Sequence, residues 1–204
     1  ARYDLLLDTA AQYQAPVVTA HHLDDLVETV ALNLVRGTGW RGLAVLNRPG
    51  VERPLLGWRK ADIRAYALAH RLEWVEDETN ASDRYTRNRL RRCIQRILTA
   101  EQAAQITSLR DRQLTLRHTI NDEVQHLLPQ FAAERYGFIM IDEASAQELL
   151  GAMIMWAGAP RPTRPRLERA VLAIKTARPG SRHVVGDGVY LQFSPRQFTV
   201  EVVQ

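Results

Sequence analysis

A chain of 204 residues can fill one good core or two smaller ones, and its 46% apolar and 25% charged residues have the balance of a globular protein. No apolar run reaches the roughly eighteen residues of a membrane helix, and no basic lead enters an apolar stretch at the start, so neither a membrane span nor a signal peptide is expected. A single cysteine, Cys93, excludes an internal disulfide framework and a cysteine-built zinc site, and favours a reducing, cytoplasmic setting, while a net charge of +4 is compatible with a nucleic-acid partner without requiring one.

The chain opens A-R-Y-D-L-L-L-D without an initiating Met, so further sequence is expected upstream. Tyr3, Leu6, Leu7 and Ala10 have helical spacing, and Pro16 marks a turn after them. P-V-V-T-A then reads as a short buried strand. In the segment after H-H-L-D-D, Val27, Val30, Ala31, Leu34 and Val35 share a helical face, and Gly37 is a terminator. Helix, strand and helix in this order predict an α/β layer with a parallel sheet. A helix is expected over about 59–70, with Ile63, Tyr66, Ala67 and His70 on its face, and a second short strand at Leu72–Val75.

A polar loop, E-D-E-T-N-A-S-D, precedes a basic helical stretch with Leu90, Ile94, Ile97 and Leu98 on one side. Residues 101–128 continue a helical rhythm, as one long helix or a hairpin of two. A strand is predicted over 136–141, and a helix over 145–157 with a capping box from Ser145 to Glu148. A Gly-Pro-Arg loop and a helix over 167–176 follow. Gly186-Asp187-Gly188 between alternating apolar runs predicts a terminal hairpin. The expected division is 1–95 as an α/β domain and 96–204 as a mostly helical one.

His21, His22, Asp24, Asp25 and Glu28 fall where the strand ends and the helix begins, the usual ligand-binding edge of an open α/β sheet. Asp25 and Glu28, three apart, lie on one side of the first helical turn. Carboxylates beside an imidazole hold Mg²⁺ through oxygen, orient an amine, or accept its proton. Acids at a helix start also serve the helix dipole alone, but two histidines and three acids in eight residues exceed that need. The adjacent histidines do not form the His-x-x-x-His face of a zinc protease. Arg36 closes the helix before Gly37, where it serves the dipole or meets a phosphate. No Walker A or G-x-G-x-x-G pattern occurs.

Residues 84–96 hold six arginines and no acid, and 161–169 four against one. Arg84, Arg87 and Arg91 share a face suited to phosphates, with Arg89, Arg92 and Asn88 beside them. A solvated helix face is the plainer alternative. Asp77 and Asn80 are expected to order the preceding turn, with Asp83 as a helix cap. Trp74 is expected in the core, and Trp40 is a candidate for stacking on a base.

The blocks A-H-H-L-D-D-L-V-E-T, R-G-T-G-W-R-G-L, R-P-L-L, W-V-E-D-E-T-N and Y-T-R-N-R-L-R, in this order and spacing over residues 2–92, together resemble the tRNA-Ile-lysidine synthases, which are PP-loop ATP pyrophosphatases. Residues 93–204 resemble the family loosely. The resemblance implies a partial PP-loop α/β sheet in 1–95 and a helical tRNA-binding domain with a terminal hairpin in 96–204. It implies ATP-dependent adenylation of C2 of the wobble cytidine in tRNA-Ile with a CAU anticodon. The ε-amine of free lysine then displaces AMP. The implied cofactors are ATP and Mg²⁺, the setting is cytoplasmic, and a homodimer is compatible.

Carried over position by position, His21 and His22 match the histidines at the strand end, with nucleotide contact or adenylation as their role. Asp25 and Glu28 match acids that hold the lysine amine or Mg²⁺, and Asp24 supports them as a third metal-side acid. Arg36 and Gly37 match a phosphate-facing position. Arg87, Asn88, Arg89, Arg91 and Arg92 match the segment that positions tRNA. Leu26 stands where the family often has Gln. The family's S-G-G-x-D-S loop, which grips pyrophosphate, does not occur in these residues, and the 204 residues are expected to be inactive without it. A PP-loop tRNA 2-thiolase and a non-catalytic RNA-binding module are the competing readings.

Overall fold

The computed structural model describes residues 2–75, 86–131 and 133–203. The chain forms two compact units, Ala1–Arg117 and His118–Gln204.

In the first unit, α1 (Arg2–Gln12) leads to β1 (Val17–Val18), α2 (Leu23–Val35), a 3₁₀ turn (Trp40–Leu43), β2 (Val51–Glu52) and α3 (Lys60–Ala69). Further along come α4 (Thr86–Ile97) and α5 (Ala100–Phe131), whose later residues belong to the second unit. The expected parallel sheet is present: Val17 pairs with Val51 and Val18 with Glu52. Its second strand escaped prediction because R-P-G-V-E-R-P is too short, and too closely bracketed by proline, to show a period. Alternation across β1 buries Val17 and leaves Val18 exposed, so the strand is not buried on both faces.

Helix α2 buries Val27 and Val30, two of the five residues of the expected apolar face, and also Leu26, which lay outside it. Leu34 and Val35 are exposed near its end, where the helix outruns its cover. Residues 72–75 form no strand, and Trp74 is 44% exposed rather than in the core. Apolar residues without a pairing strand make only an extended loop, and here the Arg64 guanidinium lies over the Trp74 ring at 5.7 Å. The stretch 101–128 is part of one continuous helix, not a hairpin.

The second unit contains α6 (Arg135–Met140), α7 (Glu143–Trp156), α8 (Arg164–Thr176), β3 (Arg182–Gly186), β4 (Val189–Phe193) and β5 (Phe198–Val202). The three strands are antiparallel in the order β3-β4-β5. Phe138, Leu150, Ile154, Ile174, Leu191 and Phe198 fill the core, with Phe138 edge-on to Phe198 at 5.2 Å. Residues 136–140, expected as strand, lie in α6. Phe138 alone is buried while Tyr136, Ile139 and Met140 are exposed, which is not the alternation of a strand. Buried Arg135 fastens this short helix by donating to the carbonyl oxygens of Ile174, Ala177 and Ser194 at 2.8, 2.7 and 3.2 Å.

The cap of α7 is Asp142, whose carboxylate accepts from the Ser145 amide at 3.0 Å. Ser145 is therefore the third helical residue rather than the cap, and Glu148 pairs with Arg161 instead of closing a box. The hairpin at Gly186-Asp187-Gly188 forms as expected. Asp187 and Gly188 both take positive φ, 52° and 76°, and a Cβ on Gly188 would strike the Val203 carbonyl. The strand β5 adds a third member that the hairpin signal could not show. The boundary read from the sequence, 95/96, falls within α4.

Candidate active site

The end of β1 and the start of α2 place the histidine–acid cluster in a fixed frame. His22 is the N-cap of α2, in extended conformation. Its Nδ1 accepts from the Asp25 amide at 3.4 Å, and the Asp25 carboxylate accepts from the His22 amide at 3.1 Å. This reciprocal pair is a capping box built from His and Asp rather than Ser and Glu, and it holds both side chains in place. His21 is oriented separately: its Nδ1 lies 2.9 Å from the Thr19 hydroxyl.

The buried Asp24 lies 3.8 Å from His22 Nδ1 at the edge of this box but takes its hydrogen bonds from α3. Its carboxylate accepts from Arg59 Nε at 3.0 Å and from the Lys60 amide at 2.7 Å. It thereby satisfies an amide at the start of α3 and favours that helix dipole. Glu28, 2% exposed, accepts from Arg91 Nε at 2.6 Å. A second Arg91 nitrogen lies 3.9 Å from Asp25. The Glu28 carboxylate holds the Arg91 guanidinium in its charged form against the opposing effect of burial.

A cleft of about 600 Å³ opens beside the cluster, lined among others by Tyr3, Leu6, Val18, Thr19, His21 and Asp25. It lies where β1 gives way to α2, as expected for an α/β sheet. An acceptor-only carboxylate and an imidazole at such an opening suit an amine: they hold its ammonium form or take its proton.

The structure thus brings together His21, His22, Asp24, Asp25, Glu28 and Arg91. It sets Arg36 and Gly37 apart, at the opposite end of α2, roughly 16 Å from Asp25 at 1.5 Å per residue. Arg87, Asn88, Arg89 and Arg92 lie in α4, with side chains outside the described residues, as are Asp77, Asn80, Asp83 and Arg84 altogether. Trp40 is half-buried with Arg41 over its ring at 4.6 Å. Among the described residues no group of three His, Cys, Asp or Glu side chains is arranged to hold a metal. Asp24, Asp25 and Glu28 in particular do not form one cation cage, because Asp24 serves α3 and Glu28 serves Arg91. Sequence reasoning missed Arg59 and the Lys60 amide, which join the cluster from 35 and 36 residues away with no local signal.

Residues 1–98 match the PP-loop domain family. A curated protein of Aromatoleum aromaticum named tRNA(Ile)-lysidine synthase is 35% identical over 175 residues, covering 78% of this chain and 40% of the relative. One of the same name from Photorhabdus laumondii is 34% identical over 194 residues, covering 87% and 43%. Another from Pseudomonas aeruginosa is 51% identical over 82 residues, covering 37% and 19%. The chain spans about two fifths of the length of the first and second of these relatives.

Proposed function

We propose, on the premise that this chain is a homologue of the tRNA(Ile)-lysidine synthases with a PP-loop domain at residues 1–98, that the protein ligates lysine to tRNA. The substrate is tRNA-Ile with a CAU anticodon, and ATP drives the reaction. The wobble-cytidine C2 oxygen attacks the α-phosphorus of ATP and pyrophosphate leaves. The ε-amine of free lysine then attacks C2, the C2–O bond breaks, AMP leaves, and the amine gives up a proton. The protein works in the cytoplasm, where its substrates are, and a homodimer is part of the reading.

The observation that carries the chemistry is the cleft with His21 and Asp25 on its wall at the end of β1. In this reading Asp25 holds the lysine ammonium and takes part in its deprotonation, and His21 faces the nucleotide. His22 fixes Asp25 through the capping box. Glu28 acts through Arg91, setting that guanidinium beside Asp25. Asp24 is a positioning residue that ties α3 to the site. Arg36 and Gly37 are assigned to phosphate contact outside the cluster. Arg87, Asn88, Arg89 and Arg92 are assigned to tRNA, with Arg91 bridging them to the acids, and residues 96–204 supply further tRNA-binding surface.

The three-acid arrangement does not fit Mg²⁺ as a protein-built site. An ion arriving with ATP phosphates needs only one or two protein carboxylates, and Asp25 is the acid on the cleft wall. Such an ion would offset phosphate charge.

The test is transfer of labelled lysine to a CAU-anticodon tRNA-Ile transcript by the full gene product, with and without ATP. ATP-dependent incorporation supports the reading. Sulfur incorporation, or no modification of correctly folded tRNA, overturns it.

A further inference from the structure

His21 and His22 are neighbours in sequence but are held by different means. His22 is fixed from within α2, by the capping box with Asp25. His21 lies one residue before that cap and lines the cleft together with Thr19 and Asp25. Its Nδ1 stands 2.9 Å from the Thr19 hydroxyl, in a half-buried contact.

Thr19 is a rigid support for that contact. It directly follows β1, and its amide donates to the Glu52 carbonyl of β2 at 3.0 Å, which carries the parallel pairing one step further. At the other end of the connection the Leu23 amide donates to the Trp58 carbonyl at 2.9 Å. The connection 19–23 is therefore tied at both ends, to β2 and to the segment after it. Threonine is branched at Cβ, so few χ1 rotamers are open to it, and a fixed backbone narrows the direction of its hydroxyl. An imidazole, by contrast, turns easily about its Cβ–Cγ bond, and its two broad orientations exchange Nδ1 with Cδ2 and Nε2 with Cε1. The Thr19 hydroxyl favours one of them. It can donate to Nδ1 or accept from it, whichever ring nitrogen carries the proton, and Cδ2 offers no equal bond.

We propose that Thr19 is a positioning residue for His21, its hydroxyl selecting the ring orientation with which His21 meets the nucleotide. The inference rests on the reading of this cleft as a site of ATP-dependent adenylation; the contact between the two side chains does not.

The test uses the full gene product with Thr19→Val, which keeps the branched shape without the hydroxyl, Thr19→Ser, which keeps the hydroxyl, His21→Gln, and the double variant of Thr19→Val with His21→Gln. Single-turnover release of pyrophosphate from ATP is measured with CAU-anticodon tRNA-Ile, beside the KM for lysine. In protein carrying isotope-labelled histidine, the Nδ1 resonance of His21 is identified by its loss in His21→Gln. Thr19→Val is expected to slow pyrophosphate release about tenfold, the preference that one hydrogen bond can enforce. It should leave the KM for lysine unchanged and shift the Nδ1 resonance. Thr19→Ser should recover most of the rate and the native resonance. In the double variant, Thr19→Val should slow release no further than His21→Gln alone, because a residue that acts through another does not add to its loss. Should Thr19→Val fail to fold, Thr19→Ala carries the same comparisons. Full additivity in the double variant overturns the proposal, and so does release at the unaltered rate in His21→Gln. An unmoved Nδ1 resonance in Thr19→Val overturns it whatever the rates. No pyrophosphate release by the unaltered protein, with the resonance still moved in Thr19→Val, overturns the adenylation reading and keeps Thr19 as the support of His21.

Discussion

Glu28 is almost wholly enclosed, yet its carboxylate meets the Arg91 guanidinium, which comes from a helix more than sixty residues away. Removing one partner of a buried pair leaves the other charge uncompensated. Glu28→Ala is therefore expected to cost about 3 kcal/mol in urea unfolding, at the low end because Arg91 retains some solvent. It should also lower lysine transfer, since Arg91 would lose its place beside Asp25. Asp24→Asn should cost about 2 kcal/mol through the weakened contacts with Arg59 and the Lys60 amide, read as a drop in the thermal midpoint. The chemical character of this cluster was legible in H-H-L-D-D-L-V-E, where residue types and strand–helix context coincide. The division of labour among its acids was not. Asp24 and Asp25 are neighbours with the same side chain, and only the distant positions of α3 and α4 decide that one serves a helix and the other faces the cleft.

Helix α6 and the terminal sheet show the same limit among the elements. The Gly-Asp-Gly turn was readable because two consecutive positive φ values call for just those residues. By contrast, Y-G-F-I-M-I carries no period that separates a short helix from a strand. The position of Arg135 over the α8 carbonyls depends on contacts some forty residues apart. Arg135→Met should orphan those carbonyls and cost about 2 kcal/mol or more, measured by chemical denaturation. On β3, burial and then the charge of Arg169 hold the His183 imidazole below its ordinary 6.5. The unfolded chain thus takes up the proton more readily. The His183 contribution is complete above pH 6.5 and is lost as the pH falls through the lower folded value. The thermal midpoint of the second unit should fall between about pH 7.5 and pH 5, and His183→Gln should flatten that fall.

Across the whole chain, the charge excess is uneven. Residues 1–117 hold 18 Lys and Arg against 14 Asp and Glu, while residues 118–204 hold nine of each. The run 161–169, with four arginines against one acid in the sequence, is largely paired: Arg161 with Glu148, Arg164 with Glu168, and Arg166 with Asp187. The salt-dependent share of tRNA binding is therefore expected from the first unit. Arg164→Gln should leave the salt slope of tRNA binding nearly unchanged. Block order and spacing made the resemblance legible over residues 2–92, because five weak motifs in sequence make one strong signal. Pairing partners made the second unit illegible, because a run of arginines looks the same whether or not acids wait for it.

The most direct measurement is single-turnover lysine transfer by the full gene product carrying Asp25→Asn, set beside its affinity for tRNA-Ile with the CAU anticodon. The account predicts transfer reduced by about two to four orders of magnitude, the range for a lost acid–base group, with tRNA affinity within about twofold of the unaltered protein. Transfer at the unaltered rate would contradict it, by showing that the carboxylate at the end of β1 is not where the amine is handled.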